Sequence, residues 1–319
     1  MHSQKHQLEK LERVEYKPDA ECVFMNVTTV SGEITPLIYL FHTRNDFQQH
    51  QLEWVEVNVQ GTSIDFFRCP SGLHAKYCYG NVQPTLEPIH NHLRELLGNH
   101  TKFCILGCFS AAPILPMLRN IHLLHILDGF ESTQIDEYLS RSPCLEFFFW
   151  SIRDGRHIRL SGYSRLYELD TVYLWTESPM ATDVVKHFNG RHAFLLSPNI
   201  STMDVVQFLN AWKSGEKFRN LEVISMNQDE TDSEDFEIPE IRTLVKFKEV
   251  AAEVEYSYVR KFPEYDPFYS ARRYSWQLKS RFYMVRESDG HVATVLLTPS
   301  RIFMGVWNMT ETEFLEKFH

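Results

Sequence analysis

The stretch NISTMDVVQFLNAWKSGEKFRNLEVISM, Asn199 to Met226, spells one helix and one strand with the punctuation between them. Ser201 and Thr202 carry hydroxyl oxygens suited to the orphan amides of a first helical turn, and Asp204 adds negative charge where the helix dipole favours it. Val205, Phe208, Leu209 and Trp212 then recur at helical spacing and define one apolar stripe. Gly215 stands where a helix ends in a left-handed cap. After a short basic loop, Leu221, Val223, Ile224 and Met226 read as a strand.

The helix-then-strand cycle recurs upstream. Apolar strand candidates lie at 103–109, 122–127, 145–150, 171–175, 193–196 and 221–226, at intervals of roughly 19 to 29 residues. Helical or coil segments are expected between them at 114–118, 135–140, 181–188 and 203–212, and an earlier helix is marked by Leu86, Ile89, Leu93, Leu96 and Leu97. That period lies in the leucine-rich-repeat range and predicts parallel strands stacked into an irregular βα solenoid. An ordinary α/β domain with its strands in another order fits the same pattern.

Flanking this region are two antiparallel parts. The first 15 residues read as a short polar helix with Leu8, Leu11 and Val14 on one face, so 1–20 is expected to be an N-terminal helical segment. Strand-like runs follow at 22–30, 34–41, 52–59 and 64–68, with turns expected at Ser31-Gly32-Glu33 and Gly61-Thr62-Ser63; they predict a β-meander opening a 21–227 region. The densely acidic QDETDSEDFEIPE, 228–240, reads as a solvated loop in which Thr231 and Ser233 are candidate phosphorylation sites. From 241 to the end, strands at 282–286, 291–298 and 302–307 and a final helix, 310–318, predict a C-terminal antiparallel cap. Ser288-Asp289-Gly290 marks a tight hairpin, and Thr310 with Glu313 forms a capping box.

The run from 199 to 226 resembles the type-2 F-box-associated domain of nematode F-box proteins, in which a Thr/Ser-rich cap leads into a helix with a Phe-Leu pair, a Trp, a Gly and then a Leu-Glu strand. Thr202, Phe208, Leu209, Trp212, Gly215, Leu221 and Glu222 follow that order. A second run, RESDGHVATVLLTPSRIFMGVW (286–307), is similar to the family's C-terminal hairpin through Asp289, Gly290, Ala293, Thr294, Phe303 and Trp307. The domain-like region spans about 159–226, and a general likeness reaches from about Cys22 to Trp307. The resemblance implies a protein-interaction module that selects substrates for a cullin–RING (SCF-type) ubiquitin ligase. In that family an F-box of about 40–50 residues docks on the ligase adaptor. Residues 1–20 hold no Leu-Pro pair, so no F-box is evident there. The expectation is therefore a module with an unknown protein target, and an adaptor role only through an F-box.

Composition narrows the classes. With 319 residues, 43% hydrophobic and 23% charged, the chain has enough apolar material for a large core. The formal charge of −10 argues against a general nucleic-acid surface. No apolar run reaches the ~18–20 residues that span a bilayer, and the N-terminus lacks a signal core. The six cysteines are then expected to be reduced in a cytoplasmic or nuclear setting, and the Asn-x-Ser/Thr sites at Asn26, Asn99, Asn199 and Asn308 to be unused.

No catalytic, cofactor or metal residue is nominated. Cys104 and Cys108 share a strand face but sit two pleats apart, Cys69 and Cys78 have no His pair nearby, and His90 and His92 diverge on a helix. Phosphate loops and nucleophile elbows are absent from the sequence. The basic-aromatic patch Arg272-Arg273-Tyr274-Ser275-Trp276 with Lys279 and Arg281 has residues suited to base stacking, but the favoured reading is that Tyr274 and Trp276 pack while the cations pair with the acidic surface. Tyr173, Trp175 and the run 147–150 read as core strand residues.

Overall fold

The computed structural model describes residues 11–18, 22–29, 31, 33–42, 54–69, 72–77, 81–98, 100–108, 117–127, 130–152, 158–228, 235–259 and 275–318. The chain is mixed α/β, with sixteen strands and six α-helices among the described residues. It divides into two compact units, 1–147 and 148–319, so the division falls inside the 21–227 region expected to be continuous.

In the first unit the strands lie in the order β8-β7-β1-β2-β3-β6-β5-β4. They are β1 (Leu11–Pro18), β2 (Cys22–Thr29), β3 (Ile34–His42), β4 (Val55–Val59), β5 (Thr62–Cys69), β6 (Gly72–Tyr77), β7 (Lys102–Cys108) and β8 (Leu123–Leu127). The expected N-terminal helix is wrong over its described part. Residues 11–18 form a strand, antiparallel to β2 and parallel to β7. Val14 and Tyr16 are buried there, and Glu15 is buried with them because Arg13 (2.7 Å) and Lys17 (3.3 Å) neutralise its carboxylate. The expected single meander is two: β1-β2-β3 and β4-β5-β6 are each antiparallel, and β3 and β6 join them in parallel. The β4–β5 turn is Gln60-Gly61, one residue earlier than the sequence suggested. Both have positive φ (52° and 81°), as a two-residue type I′ turn requires. Helix α1 (Gln83–Leu97) packs on β4, β5 and β6 through a stripe that includes Leu86, Ile89 and Leu93. Helix α2 is Ser132–Arg141. The helical or coil segment expected at 114–118 falls largely outside the described residues, and 117–118 are not helical.

The second unit has the order β13-β14-β15-β16-β12-β11-β10-β9. Here β9 (Phe147–Ile152), β10 (Thr171–Thr176), β11 (His192–Leu196) and β12 (Val223–Asn227) lie side by side in chain order, with β10, β11 and β12 parallel. Their near-continuous apolar runs suit strands buried on both faces. Helices α3 (Met180–His187) and α4 (Thr202–Ser214) connect them. Antiparallel strands β13 (Lys248–Val259), β14 (Ser275–Val285), β15 (His291–Thr298) and β16 (Arg301–Thr310) follow, and β16 pairs with β12. Helix α6 (Glu311–Phe318) seats Phe314 among Val250, Val254, Tyr283 and Val292.

The acidic-loop reading fails over 235–240. Phe236 is buried, and helix α5 (Ile238–Val245) begins inside that stretch, with Pro239 in its first turn where a missing N–H costs nothing. Residues 229–234, with Thr231 and Ser233, lie outside the described residues, as do Arg272 to Tyr274 of the basic-aromatic patch.

Candidate functional site

The positions that carry the family resemblance come together in the second unit, although 60 to 100 residues separate the two runs. Ser201 alone caps α4: its hydroxyl accepts the Asp204 N–H (3.1 Å), and the Asp204 carboxylate accepts the Ser201 N–H (3.1 Å). Thr202 is the first helical residue instead, and its hydroxyl accepts the Glu237 N–H (3.0 Å). Phe208, Leu209 and Trp212 are buried with Val205. Gly215 takes the left-handed conformation (φ 74°) that closes the helix.

The second run docks onto this helix end. Arg286 lies over the Trp212 ring, 5.2 Å from its centroid, and donates to the Arg219 carbonyl (3.1 Å) and to Asp289 through Nε (2.9 Å) and Nη2 (2.8 Å). These bonds hold the Asp289 carboxyl down at about 2. Glu287 N–H donates to the Lys213 carbonyl (2.8 Å), and Ser288 packs directly against Gly215. The expected tight turn at Asp289-Gly290 is a four-residue loop, 287–290, closed by Gly290 N–H to Arg286 carbonyl (2.8 Å) with Gly290 at φ 75°. The Asp289 side chain also accepts from His291 N–H, which favours this wider loop. Ala293 and Thr294 are buried, and the Thr294 hydroxyl accepts from Trp307 Nε1 (2.7 Å). Leu221 is buried, and the Glu222 carbonyl accepts from Val306 N–H (2.8 Å). Most of the motif residues thus serve a structural junction: Phe208, Leu209, Trp212, Gly215, Leu221, Ala293 and Thr294 are buried, Thr202 binds Glu237 at the other end of α4, and Asp289 is exposed.

One array nearby has the look of acid–base machinery. Thr171 Oγ1 lies 2.9 Å from His192 Nδ1, and His192 Nε2 lies 3.1 Å from the Glu222 carboxylate. Arg191 bridges Asp170 (2.5 Å) and Glu222 (3.2 Å). Burial lowers the His192 pKa against the pull of Glu222. The hydroxyl is 1% exposed, however, so no substrate reaches it, and the array clamps the starts of three parallel strands. His90, in the first unit, is similar. Its Nε2 donates to the Arg119 carbonyl (2.8 Å), so Nδ1 accepts from the Tyr16 hydroxyl (2.8 Å); burial lowers its pKa to about 4 and keeps it neutral.

Among the described residues, two of the cavities that open to the surface stand out. A polar one of about 450 Å³ in the second unit is walled by Tyr163, Glu168, Lys186, His187 and Lys217, among others. Its cations and carboxylates balance, and Lys186 already pairs with Asp204 (3.3 Å). The other, in the first unit, is a groove of about 330 Å³. Val55, Val57 and Val59 of β4 form one wall, Phe66 and Leu73 the floor, and Ile89, His92 and Leu93 of α1 the opposite wall, with Arg68 at the rim. Val55 (56%), Val57 (41%) and Leu73 (36%) are exposed there. Leu96, also exposed, continues the apolar face of α1. Contiguous exposed apolar surface of this kind marks interaction sites. Nothing in the sequence reading singled the groove out. The Val55-Val57-Val59 alternation was its one visible signal, and it marked only a strand.

No protein-family model, curated protein or solved structure matches this chain. Among the described residues no three His, Cys, Asp or Glu side chains gather to hold a metal ion, and no helix is long and apolar enough to cross a membrane.

Proposed function

We propose that the chain is a protein-recognition module, binding rather than catalytic, of the kind that selects substrates for a cullin–RING ubiquitin ligase inside the cell. The observation that carries recognition is the apolar groove between β4 and α1, exposed on a protein otherwise rich in charge. The ligase connection rests on the F-box-associated resemblance of 199–226 and 286–307, whose residues meet at one junction. The chain-order succession β9-β10-β11-β12 supports reading this part as an irregular, leucine-rich-repeat-like βα solenoid.

A second reading, an interaction protein with no ligase link, is favoured by β1. Docking on an adaptor needs an apolar helical surface, about 1,600 Å² in a standard interface. Residues 11–18 are instead a strand hydrogen-bonded on both edges.

The test is affinity capture from the native cell with the wild-type chain and with Val57→Asp, a change at an exposed position that leaves the fold intact. Proteins recovered with wild type and lost with the variant are expected; identical recoveries would refute recognition through the groove. Cullin-complex subunits among the recovered proteins favour the first reading, and their absence the second. Mixed with purified adaptor, the chain is expected to elute as a separate species on size exclusion; co-elution at micromolar concentration would restore direct docking.

A further inference from the structure

The groove's outer wall, β4, is also the last strand of its sheet. Its two-residue turn makes Val59–Thr62 a hydrogen-bonded pair, and with it Val57–Ile64 and Val55–Phe66. The main-chain N–H and C=O groups of Glu56 and Asn58 therefore point away from β5, along an edge with no neighbouring strand among the described residues. Proteins blunt such edges with lysine, proline or a bulge. β4 has no lysine, proline or bulge: its sequence VEVNV carries one charge, Glu56, on the face away from the groove, and its register with β5 is regular.

The edge is nonetheless held firmly. Trp54, just before β4, packs edge-on against Phe67 (4.6 Å) beneath the Lys76 ammonium (3.6 Å). At the other end Gln60 Nε2 donates to Glu95 of α1 (2.6 Å). An open, pre-formed edge that carries apolar residues alternately toward a groove matches the requirements of strand addition: main-chain bonds supply affinity and alternate side chains supply specificity.

Charge narrows the partner. Arg68 borders the groove, is exposed and makes no ion pair among the described residues, in a chain of net charge −10. We propose that an extended segment of a partner protein adds antiparallel along β4, bonding to the main chain of Glu56 and Asn58. Its apolar side chains at alternate positions enter the groove, and an acidic side chain pairs with Arg68. This assignment rests on the recognition reading above and names the chemistry of what is recognised.

Fluorescence anisotropy with a labelled ten-residue peptide of alternating Val and Thr, carrying one Glu, tests it. Wild type is expected to bind saturably, with a Kd on the order of micromolar, and to bind the Lys analogue about tenfold more weakly, the loss expected of a charge-assisted hydrogen bond. Arg68→Glu should reverse that preference. Glu56→Pro removes an outward N–H without touching the β4–β5 ladder, and should abolish binding of both peptides at unchanged Tm. Three results would each overturn the proposal: no saturable binding by wild type, binding indifferent to Glu56→Pro, or an acid preference unmoved by Arg68→Glu. Self-association of wild type that Glu56→Pro abolishes would assign the edge to a second copy and overturn it as well. If the peptides fail while Val57→Asp still strips captured proteins, recognition stands and strand addition falls.

Discussion

Gly215→Ala tests whether the junction between α4 and the β14–β15 loop is as tight as it looks. Two costs are separable there. Alanine must adopt the left-handed conformation (φ 74°), at about 1–2 kcal/mol. Its methyl group would also press on Ser288, landing 2.5 Å from Ser288 Cβ and closer to the hydroxyl, and overpacking of this kind costs about 1–3 kcal/mol. The single variant should therefore lose about 2–5 kcal/mol. Ser288→Gly removes the obstructing side chain and leaves the backbone cost in place. The double variant should recover about 1–3 kcal/mol of the loss, a coupling readable from a double-mutant cycle. Urea denaturation followed by near-UV circular dichroism measures all four proteins. Strict additivity of the two changes would show that Ser288 does not crowd Gly215, and a single-variant loss under about 0.5 kcal/mol would refute the left-handed cap itself.

Trp212→Ala should destabilise by about 3–5 kcal/mol, since the ring is fully buried and carries the Arg286 cation on its face; an unchanged Tm would place the stripe in solvent. Stability should also depend on acid through Asp289, whose carboxyl Arg286 holds at about 2. Its folded pKa lies below the unfolded value of about 3.9, so the contribution is complete above that value and is lost as pH falls toward 2. Asp289→Asn should thus be less stable than wild type at neutral pH, with the difference closing between about pH 4 and 2; parallel stability–pH curves for the two proteins would contradict the pair.

What was legible in the sequence was what is locally encoded. Helix α4 could be read because its cap, stripe and terminating glycine lie within 15 residues, and β10, β11 and β12 because a strand buried on both faces is apolar throughout. Strand β1 was missed because its identity is non-local. Leu11 and Val14 also suit a helical stripe, and only pairing with β2 and β7, with Glu15 neutralised by Arg13 and Lys17, makes LERVEYKP a strand. The acidic run 228–240 read as a loop from its composition, which does not show that Pro239 sits in the first turn of a helix. The groove was hidden for a related reason. Valines at alternate positions look the same whether a neighbour covers them or not, and coverage is a property of the sheet order.

Strands β4 and β13, each at one end of its own unit's strand order, show why an open edge carries information here. Strand β13 also ends a strand order, but its register shifts between Glu249 and Val254, and it carries Lys248, Glu249, Glu253 and Glu255. Irregular register and charge are the devices that discourage a further strand from pairing. On the far side of the same unit's parallel run, β12 is covered outright by β16, whose position is fixed where Val306 N–H meets the Glu222 carbonyl. The fold therefore contains two distinct solutions to the edge problem within one unit. β4 keeps a regular register and carries a single charge, Glu56, on the face away from the groove, although a lysine at Val57 would discourage pairing at little cost to an exposed position. Leaving β4 regular, apolar on its groove face and firmly anchored at both ends carries an aggregation hazard. That hazard is removed once a partner strand occupies the edge, which makes occupancy the physical state in which this part of the sequence is consistent with the rest of the fold.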